Sequence, residues 1–328
     1  MLISYIAAIL IGLALLIWSA DRFIDGASSI ARTMGISPLI IGMLIIGLGT
    51  SAPEMLVSGA AALQGNPGLG IGNAIGSNIT NITMVLGITA IFFVLPVHSS
   101  LLKKELPLVL FSAVLAWYLM SDGFFSRLDG IILVITLGLI LTWMILSAKK
   151  EVRLHEHDPL IEDTLEELPD ELPLKQSIIW TIVGLLLLLV SSKMLVWGAS
   201  NIASQLGVSD LIIGLTIVAI GTSLPELAAT ISSARKGETD LAVGNIVGSN
   251  LFNTLGVLAL PGLIQPLQLP PEVLSRDILV MLILTVVLLI FSFGCFKGSK
   301  GKFTRNKGII LLIAFIAYEA LLFYQTVQ

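Results

Sequence analysis

Long apolar runs alternate with short polar stretches along the whole chain. A helix needs about 20 mostly apolar residues to cross the hydrocarbon core of a bilayer. Ten runs approach or exceed this length, and the fourth is the shortest of them. The pattern therefore predicts an all-α polytopic membrane protein with ten transmembrane helices, at residues 2–20, 37–62, 70–95, 106–120, 128–147, 177–196, 209–234, 241–264, 277–296 and 308–325.

The composition agrees with this class of protein. Hydrophobic residues make up 55% of the 328 residues, charged residues make up 12%, and the mean hydropathy is +0.97. A soluble domain carries about 25% charged residues. The first run starts at Met1-Leu2-Ile3 without a basic segment, which predicts a retained span rather than a cleaved signal peptide.

Lysine and arginine are distributed unevenly between the two predicted sides of the membrane. With ten spans, 15 of the 18 basic residues fall on the side of the linker between the fifth and sixth spans. Only Arg127, Lys193 and Arg276 fall on the other side. The positive-inside rule makes the basic side cytoplasmic, so both termini are predicted to lie outside the cytoplasm. Basic residues spread along one membrane face do not suggest nucleic-acid binding.

The chain contains an internal repeat. Residues 35–81 align without a gap to residues 207–253 at a constant offset of 172, and 21 of the 47 aligned pairs are identical. Each half holds five predicted spans, so the second copy enters the membrane from the opposite side. Secondary transporters use such inverted repeats and place their substrate site near the bilayer midplane. We divide the chain into a first five-helix repeat at 1–147, an acidic cytoplasmic linker at 148–176 and a second, inverted five-helix repeat at 177–328.

One motif of the repeat places a glutamate directly after a proline inside a predicted span. Gly49-Thr50-Ser51-Ala52-Pro53-Glu54 corresponds to Gly221-Thr222-Ser223-Leu224-Pro225-Glu226. Proline removes one helical hydrogen bond and clashes with the preceding turn, so each helix is expected to kink and free carbonyls near Gly47 and Ala219. The glutamate follows the threonine by one turn and shares its face. Hard cations such as Ca²⁺ and Na⁺ prefer this set of oxygen ligands.

A purely structural role is the alternative for this motif, because membrane helices tolerate Pro, Gly, Ser and Thr. An ionised carboxylate at the bilayer centre, however, costs about 2.5–3.5 kcal/mol. Its occurrence at two repeat-related positions favours function over packing. The pattern therefore predicts a cation site around Glu54 and Glu226.

A second motif supplies uncharged polar groups. Residues 72–81 correspond to residues 244–253, and each copy has glycines at a spacing of four that predict close helix contact. A serine and an asparagine four residues apart share one helix face, and their oxygens would complete the coordination; these are Ser77 with Asn81, and Ser249 with Asn253. The other asparagines favour hydrogen bonding between helices, and they are Asn73, Asn78, Asn245 and Asn250.

The paired Gly-Thr-Ser-x-Pro-Glu and Gly-Asn-x-x-Gly-Ser-Asn motifs in a five-plus-five arrangement resemble the cation/calcium exchanger superfamily, most closely its prokaryotic sodium/calcium exchanger branch. The resemblance covers essentially the whole chain. It implies Na⁺/Ca²⁺ antiport by alternating access in the inner (plasma) membrane of a prokaryote, with the first and sixth spans sliding against the other eight. The ion ligands that it implies are Gly47, Thr50, Ser51, Glu54, Ser77 and Asn81, and Ala219, Thr222, Ser223, Glu226, Ser249 and Asn253.

One position departs from the family pattern. Members commonly carry an aspartate in at least one of the two helices that here bear Asn81 and Asn253. With asparagine at both positions, the two glutamates give the site a formal charge of −2, which balances one Ca²⁺. The sodium stoichiometry and any role of a proton stay open at this point.

Other functions fit parts of the pattern. H⁺/Ca²⁺ exchange would use the same two glutamates as proton acceptors. An intramembrane enzyme would need a nucleophile–base pair or metal ligands, and all three histidines lie outside the predicted spans. A channel is less favoured, because inverted repeats with broken helices are typical of carriers. We predict an antiporter rather than an enzyme, with no cofactor, with Ca²⁺ and Na⁺ as substrates, embedded in the lipid bilayer and functional as a monomer.

Overall fold

The apolar runs fold into helices. The computed structural model describes residues 2–34, 36–97, 104–155, 172–206, 219–293 and 301–327. Within these residues one bent pair of helices, Pro38–Thr50 with Ala52–Leu63, forms a candidate span, and Glu105–Met120 is a shorter apolar helix. Seven further helices of the described residues are long and apolar enough to cross a membrane: Leu2–Thr33, Pro67–Phe92, Arg127–Ser147, Leu174–Ile202, Thr239–Ile264, Val273–Phe293 and Arg305–Tyr324.

Helices and short strands follow one another in chain order. The first half contains α1 Leu2–Thr33, α2 Pro38–Ile41, α3 Leu48–Thr50, α4 Ala52–Leu63, α5 Pro67–Thr80, α6 Leu86–Phe92, β1 Leu95–Pro96, α7 Glu105–Met120, β2 Phe124–Phe125 and α8 Arg127–His155. The second half contains α9 Leu174–Gln205, α10 Ala219–Thr222, α11 Leu224–Arg235, α12 Thr239–Phe252, α13 Ala259–Ile264, β3 Leu267–Gln268, α14 Ile278–Phe293, β4 Lys302–Phe303 and α15 Arg305–Val327. Short π-helical segments are Gly42–Gly47, Asn81–Val85, Asn253–Val257 and Val273–Asp277.

The first helix continues well beyond its predicted end at residue 20. Polar residues follow Ala20, but the helix continues through them, because their charged side chains form ion pairs with residues at the end of α11. Three ion pairs join the end of α1 to the end of α11 and the turn after it: Asp21 with Arg235 (2.5 Å), Asp25 with Lys236 (2.6 Å), and Arg32 with Glu238.

Elements of the second half recur at the same offset of 172 as the sequence motifs. The equivalent pairs are α1 with α9, α4 with α11, α5 with α12, β1 with β3, and Asn81–Val85 with Asn253–Val257. Gly65 and Gly237 occupy equivalent turns with φ of +84° and +80°, a region that glycine enters without the cost of a Cβ atom. The structural correspondence therefore extends beyond the 47 aligned residues.

Helices α1 and α9 pack along their length through glycines. A Cβ atom on Gly26 would lie 2.6 Å from the backbone of both Ser177 and Thr181, and one on Gly198 would lie 2.7 Å from the carbonyl oxygen of Tyr5. The end of α1 thus meets the beginning of α9, and the end of α9 meets the beginning of α1, so the two helices run antiparallel. Because they are equivalent by the offset, these two elements have opposite directions in the fold.

Helix α12 packs tightly against the segment before the first helix break. Gly244 and Gly248 lie against the backbone of Leu39 and Met43, where an added Cβ atom would overlap the carbonyl oxygens. The predicted close contact of this glycine pair is confirmed, and it brings α12 next to the Thr50 motif.

The equivalent glycines of the first half show no such close contact among the described residues. A Cβ atom on Gly72 or Gly76 would have no atom of the described residues within 4 Å. By the offset of 172, the segment that would correspond to their packing partner falls within residues 207–218, which lie outside the described residues.

The second repeat motif, at 72–81 and 244–253, lies on the two most deeply buried of the seven long helices. About four fifths of the apolar stretches of Pro67–Phe92 and Thr239–Ile264 are buried inside the protein, whereas for the other long helices the share is at most 28%. The latter expose large apolar side chains, as helices in contact with lipid do. Two antiparallel strand pairs, β1 with β4 and β2 with β3, join the halves outside the helices.

Candidate cation-binding site

Both glutamates follow a break in their helix. The segment Pro38–Thr50 meets Ala52–Leu63 at a bend of 41°, and Ser51 lies at the break with φ −81° and ψ 3°. Ser223 has nearly the same angles, −89° and 4°, between α10 and α11. The bend lies at the serine rather than at the proline, because Pro53 and Pro225 are accommodated in the first turn of the next helix, where no N–H is needed. The predicted interruption of both helices is confirmed.

The glutamates are removed from solvent and from lipid. Glu54 is 0% exposed and Glu226 is 1% exposed. Most of the other predicted ligands are buried as well, and these are Gly47, Thr50, Ser51, Ser77, Asn81, Ser223, Ser249 and Asn253. Thr222, at the end of α10, is half-buried, and Ala219 is the first residue of α10.

Hydrogen bonds connect the first break to the second half. Ser51 Oγ donates to Glu226 Oε1 at 3.4 Å. The hydroxyl oxygens of Thr50 and Ser249 are 3.3 Å apart, and Ser249 Oγ donates to the carbonyl oxygen of Gly47 at 3.3 Å. The sequence grouped Thr50 and Ser51 with Glu54 of their own helix. Their hydrogen bonds instead go to the other repeat, because α12 and α11 pack against this break.

The second glutamate belongs to the same centre. The side chains of Ser77 on α5 and Thr222 on α10 face the carboxylate of Glu54. Ser51, three residues before Glu54, donates to Glu226 Oε1, so the two glutamates lie at adjoining helix breaks. The structure therefore brings the two half-sites together into one centre.

Several buried polar atoms of this centre have no hydrogen-bond partner among the described residues. They are Oε1 and Oε2 of Glu54, Oε2 of Glu226, Oγ of Ser223, and both amide atoms of Asn81 and Asn253. Leaving a buried polar group unpaired costs about 1–3 kcal/mol, and more when it is charged, so such groups are rare in folded proteins. The unpaired carboxylate oxygens of both glutamates suit a ligand with positive charge.

The asparagines Asn81 and Asn253 stand at the first residue of two π-helical segments. Such wide turns are rare in helices overall, and many of those that occur lie at functional sites. The sequence predicted ordinary helix here, because no residue pattern distinguishes a π-turn from an α-turn.

The motif asparagines tie helices together around the glutamates. Asn73 Nδ2 donates to the carbonyl oxygen of Glu54 at 3.2 Å, and Asn245 Nδ2 donates to that of Glu226 at 3.2 Å. Asn78 Nδ2 donates to Thr254 Oγ1 at 3.1 Å. The prediction of hydrogen bonds between helices is confirmed for these three.

Asn250 differs from the other three motif asparagines. Its Nδ2 donates to the carbonyl oxygen of Ile246, one turn earlier in the same helix, at 2.7 Å. Among the described residues Asn250 has no hydrogen bond to another helix, so the prediction is not confirmed for it.

The donor set of the centre suits hard cations. It offers two carboxylates with hydroxyl, amide and carbonyl oxygens, the ligands of Ca²⁺ and Na⁺ rather than of soft metals. In the described part of the chain no cluster of three or more His, Cys, Asp or Glu is arranged to hold a metal ion.

Comparison with known families identifies the protein class. The family described as "Sodium/calcium exchanger protein" matches residues 4–146 and 176–324. The chain belongs to the sodium/calcium exchanger family. The resemblance drawn from the paired motifs is thus confirmed. This exchanger is a membrane antiporter that exchanges Ca²⁺ for another cation.

Individual relatives resemble this exchanger over nearly its full length. It is 47% identical over 315 residues to CaxA of Alkalimonas amylolytica, covering 96% of the exchanger and 97% of the relative. It is 42% identical over 318 residues to inner membrane protein YrbG of Escherichia coli (strain K12), covering 97% and 96%. The solved structure of the sodium-calcium exchanger NCX_Mj, soaked with Na⁺ and Sr²⁺, superposes with a TM-score of 0.82 at 34% identity, covering 98% and 99% of the two chains.

Proposed function

We propose that this exchanger moves Ca²⁺ against Na⁺ at a single centre formed by Glu54 and Glu226. The observation that carries the proposal is the meeting of two buried glutamates whose carboxylate oxygens are largely unpaired. Ca²⁺ and Na⁺ compete for these oxygens, since two carboxylates cannot neutralise the charge of both kinds of ion at once. Occupancy by one ion therefore excludes the other, which is the requirement for antiport.

The other predicted ligands complete the coordination. Two carboxylates balance the charge of one Ca²⁺, and Ca²⁺ takes about six to eight oxygens in total. Neutral oxygens supply the rest without adding repulsion, and we assign this role to Gly47, Thr50, Ser51, Ser77 and Asn81, and to Ala219, Thr222, Ser223, Ser249 and Asn253. A single chain contains this whole set, so the monomer is the functional unit.

The transport cycle uses ten transmembrane helices arranged as two inverted five-helix repeats, at 1–147 and 177–328, with the acidic linker 148–176 between them. The antiparallel packing of α1 and α9 and the recurrence of elements at the offset of 172 support this architecture. The α1–α9 pair also touches a break segment directly, because Ser192 Oγ on α9 donates to the carbonyl oxygen of Gly221 at 2.7 Å. Movement of this helix pair opens the centre to one side of the membrane at a time.

The exchanger lies in the inner (plasma) membrane of a prokaryote with both termini outside the cytoplasm. The E. coli relative is named an inner membrane protein. Contacts between loops join segments that the ten-span count assigns to the same side of the membrane. The ion pair of Arg32 with Glu238 joins two segments assigned to the cytoplasm, and the pairing of β2 with β3 joins two assigned to the outside.

Cysteine labelling tests this orientation. In a Cys295→Ser background, Leu160→Cys in the linker is expected to resist an impermeant thiol reagent added to intact cells, because the basic residues place the linker inside. Ser121→Cys, in the exposed turn between α7 and α8, is the matched control and is expected to react. Labelling of Leu160→Cys in intact cells, with no labelling of Ser121→Cys, would reverse the topology.

Reconstituted vesicles decide between sodium and proton coupling. Vesicles loaded with Na⁺ and diluted into Na⁺-free medium are expected to accumulate radioactive Ca²⁺, because Na⁺ leaving the centre frees the carboxylates for Ca²⁺. A pH gradient alone is expected to drive no uptake. Uptake that ignores Na⁺ and follows the pH gradient would establish H⁺/Ca²⁺ exchange through the same two glutamates.

A further inference from the structure

Asn245 on α12 is hydrogen-bonded to both helix breaks. It is 0% exposed. Its Nδ2 donates to the carbonyl oxygen of Glu226 at 3.2 Å and to Thr230 Oγ1 at 2.8 Å. Its Oδ1 accepts the hydroxyl proton of Thr50, on the first break, at 3.1 Å. One amide group thus links the backbone of a second-half ligand to the side chain of a first-half ligand.

The orientation of this amide follows from its partners. A carbonyl oxygen can only accept a hydrogen bond, so the group that faces Glu226 must be the Nδ2 donor. The Oδ1 atom must then face Thr50. Because an amide is planar, its acceptor is held in place by the two bonds that its donor makes.

This acceptor decides what the hydroxyl of Thr50 can do. A hydroxyl group binds a cation through its oxygen lone pairs, so its proton must point away from the ion. The hydroxyl of Thr50 donates its hydrogen bond to the Oδ1 atom of Asn245. Ser249 Oγ, 3.3 Å from Thr50 Oγ1, donates its own proton to the carbonyl oxygen of Gly47, so Thr50 Oγ1 can present a lone pair to a cation.

We propose that Asn245 is a positioning residue for cation binding, which it serves by holding the proton of Thr50 and the backbone of Glu226. The inference rests on the proposed function, in which Thr50 and Glu226 bind the transported ion. Groups that orient ion ligands typically change metal affinity by about 10- to 100-fold when removed. The sequence motif contained Asn245 but did not distinguish it from Asn250, which is also buried.

The test measures the half-saturating Ca²⁺ concentration of Na⁺-driven uptake in vesicles. Asn245→Ala is expected to raise it about 10- to 100-fold. Thr50→Val is expected to raise it as well, and the double variant is expected to show less than the product of the two effects, because Asn245 acts partly through Thr50. Asn250→Ala is the matched control, since the amide of Asn250 donates only to its own helix among the described residues, and it is expected to leave the value unchanged.

A milder variant covers the case in which Asn245→Ala does not fold. Thr230→Val removes one of the two acceptors that orient the amide and leaves the bond to Glu226, so a smaller shift in the same direction is expected. A wild-type half-saturating concentration in Asn245→Ala or Thr230→Val, or single effects that multiply in the double variant, would overturn the inference. In those outcomes the wild type still exchanges Ca²⁺ for Na⁺, whereas failure of the proposed function would appear as no Na⁺-driven uptake by the wild type.

Discussion

Replacing Glu54 or Glu226 with glutamine is expected to abolish Ca²⁺ transport while the protein still folds and inserts. Each residue supplies half of the formal negative charge of the centre. Glutamine keeps the size of the side chain but removes that charge, so a divalent ion would remain half-neutralised where the dielectric constant is low. The measurement is Na⁺-driven uptake of radioactive Ca²⁺ into vesicles that contain equal amounts of each variant.

The folded state of these variants is predictable from the same geometry. The carboxylate oxygens of Glu54 have no hydrogen-bond partner among the described residues, and the hydrogen bond that Ser51 donates to Glu226 can be accepted by the amide oxygen of a glutamine. Thermal unfolding without Ca²⁺ should therefore be unimpaired, and stabilisation by added Ca²⁺ should be lost. Glu319→Gln is the control, since Glu319 is a half-buried glutamate on α15, and it should transport normally. Normal Ca²⁺ flux in either Glu54→Gln or Glu226→Gln would refute the assignment of the centre.

Na⁺-driven Ca²⁺ uptake is expected to depend strongly on membrane potential. A cycle that exchanges three Na⁺ for one Ca²⁺ moves one net charge, and each charge moved is worth about 2.3 kcal/mol per 100 mV. That free energy corresponds to a change of about 50-fold in the Ca²⁺ gradient sustained at equilibrium. For Ca²⁺ entering as Na⁺ leaves, a potential positive inside the vesicle should increase uptake, and one negative inside should reduce it.

The potential is set with K⁺ gradients and valinomycin, and Ca²⁺ accumulation is measured at a constant Na⁺ gradient. Vesicles with valinomycin and equal K⁺ on both sides are the control. The two asparagines Asn81 and Asn253 make this experiment informative, because without a third carboxylate the centre has a formal charge of −2. Accumulation that is insensitive to potential would exclude three Na⁺ per Ca²⁺ and indicate an electroneutral exchange with two.

The sequence by itself determined the protein class and singled out Glu54 and Glu226 as the candidate central residues. A segment that crosses lipid must be apolar and must form all its backbone hydrogen bonds internally, as a helix does. This requirement acts on each segment separately, so it is visible in the hydrophobic runs of the sequence. The repeat drew attention to Glu54 and Glu226, because placing a carboxylate inside the membrane costs free energy, and a purely structural role does not account for this cost at two equivalent positions. The break in each helix was also predictable, since it depends on a proline and its immediate neighbours.

Only the tertiary structure decided which groups meet at the centre. Ser51 lies three residues before Glu54, yet its hydroxyl bonds Glu226, which is 175 positions away in the chain. The different roles of Asn245 and Asn250 and the extension of α1 through the ion pairs of Asp21 and Asp25 likewise depend on residues far away in the chain. Local patterns carry no information about such partners, because the partner is chosen by the packing of whole helices against each other.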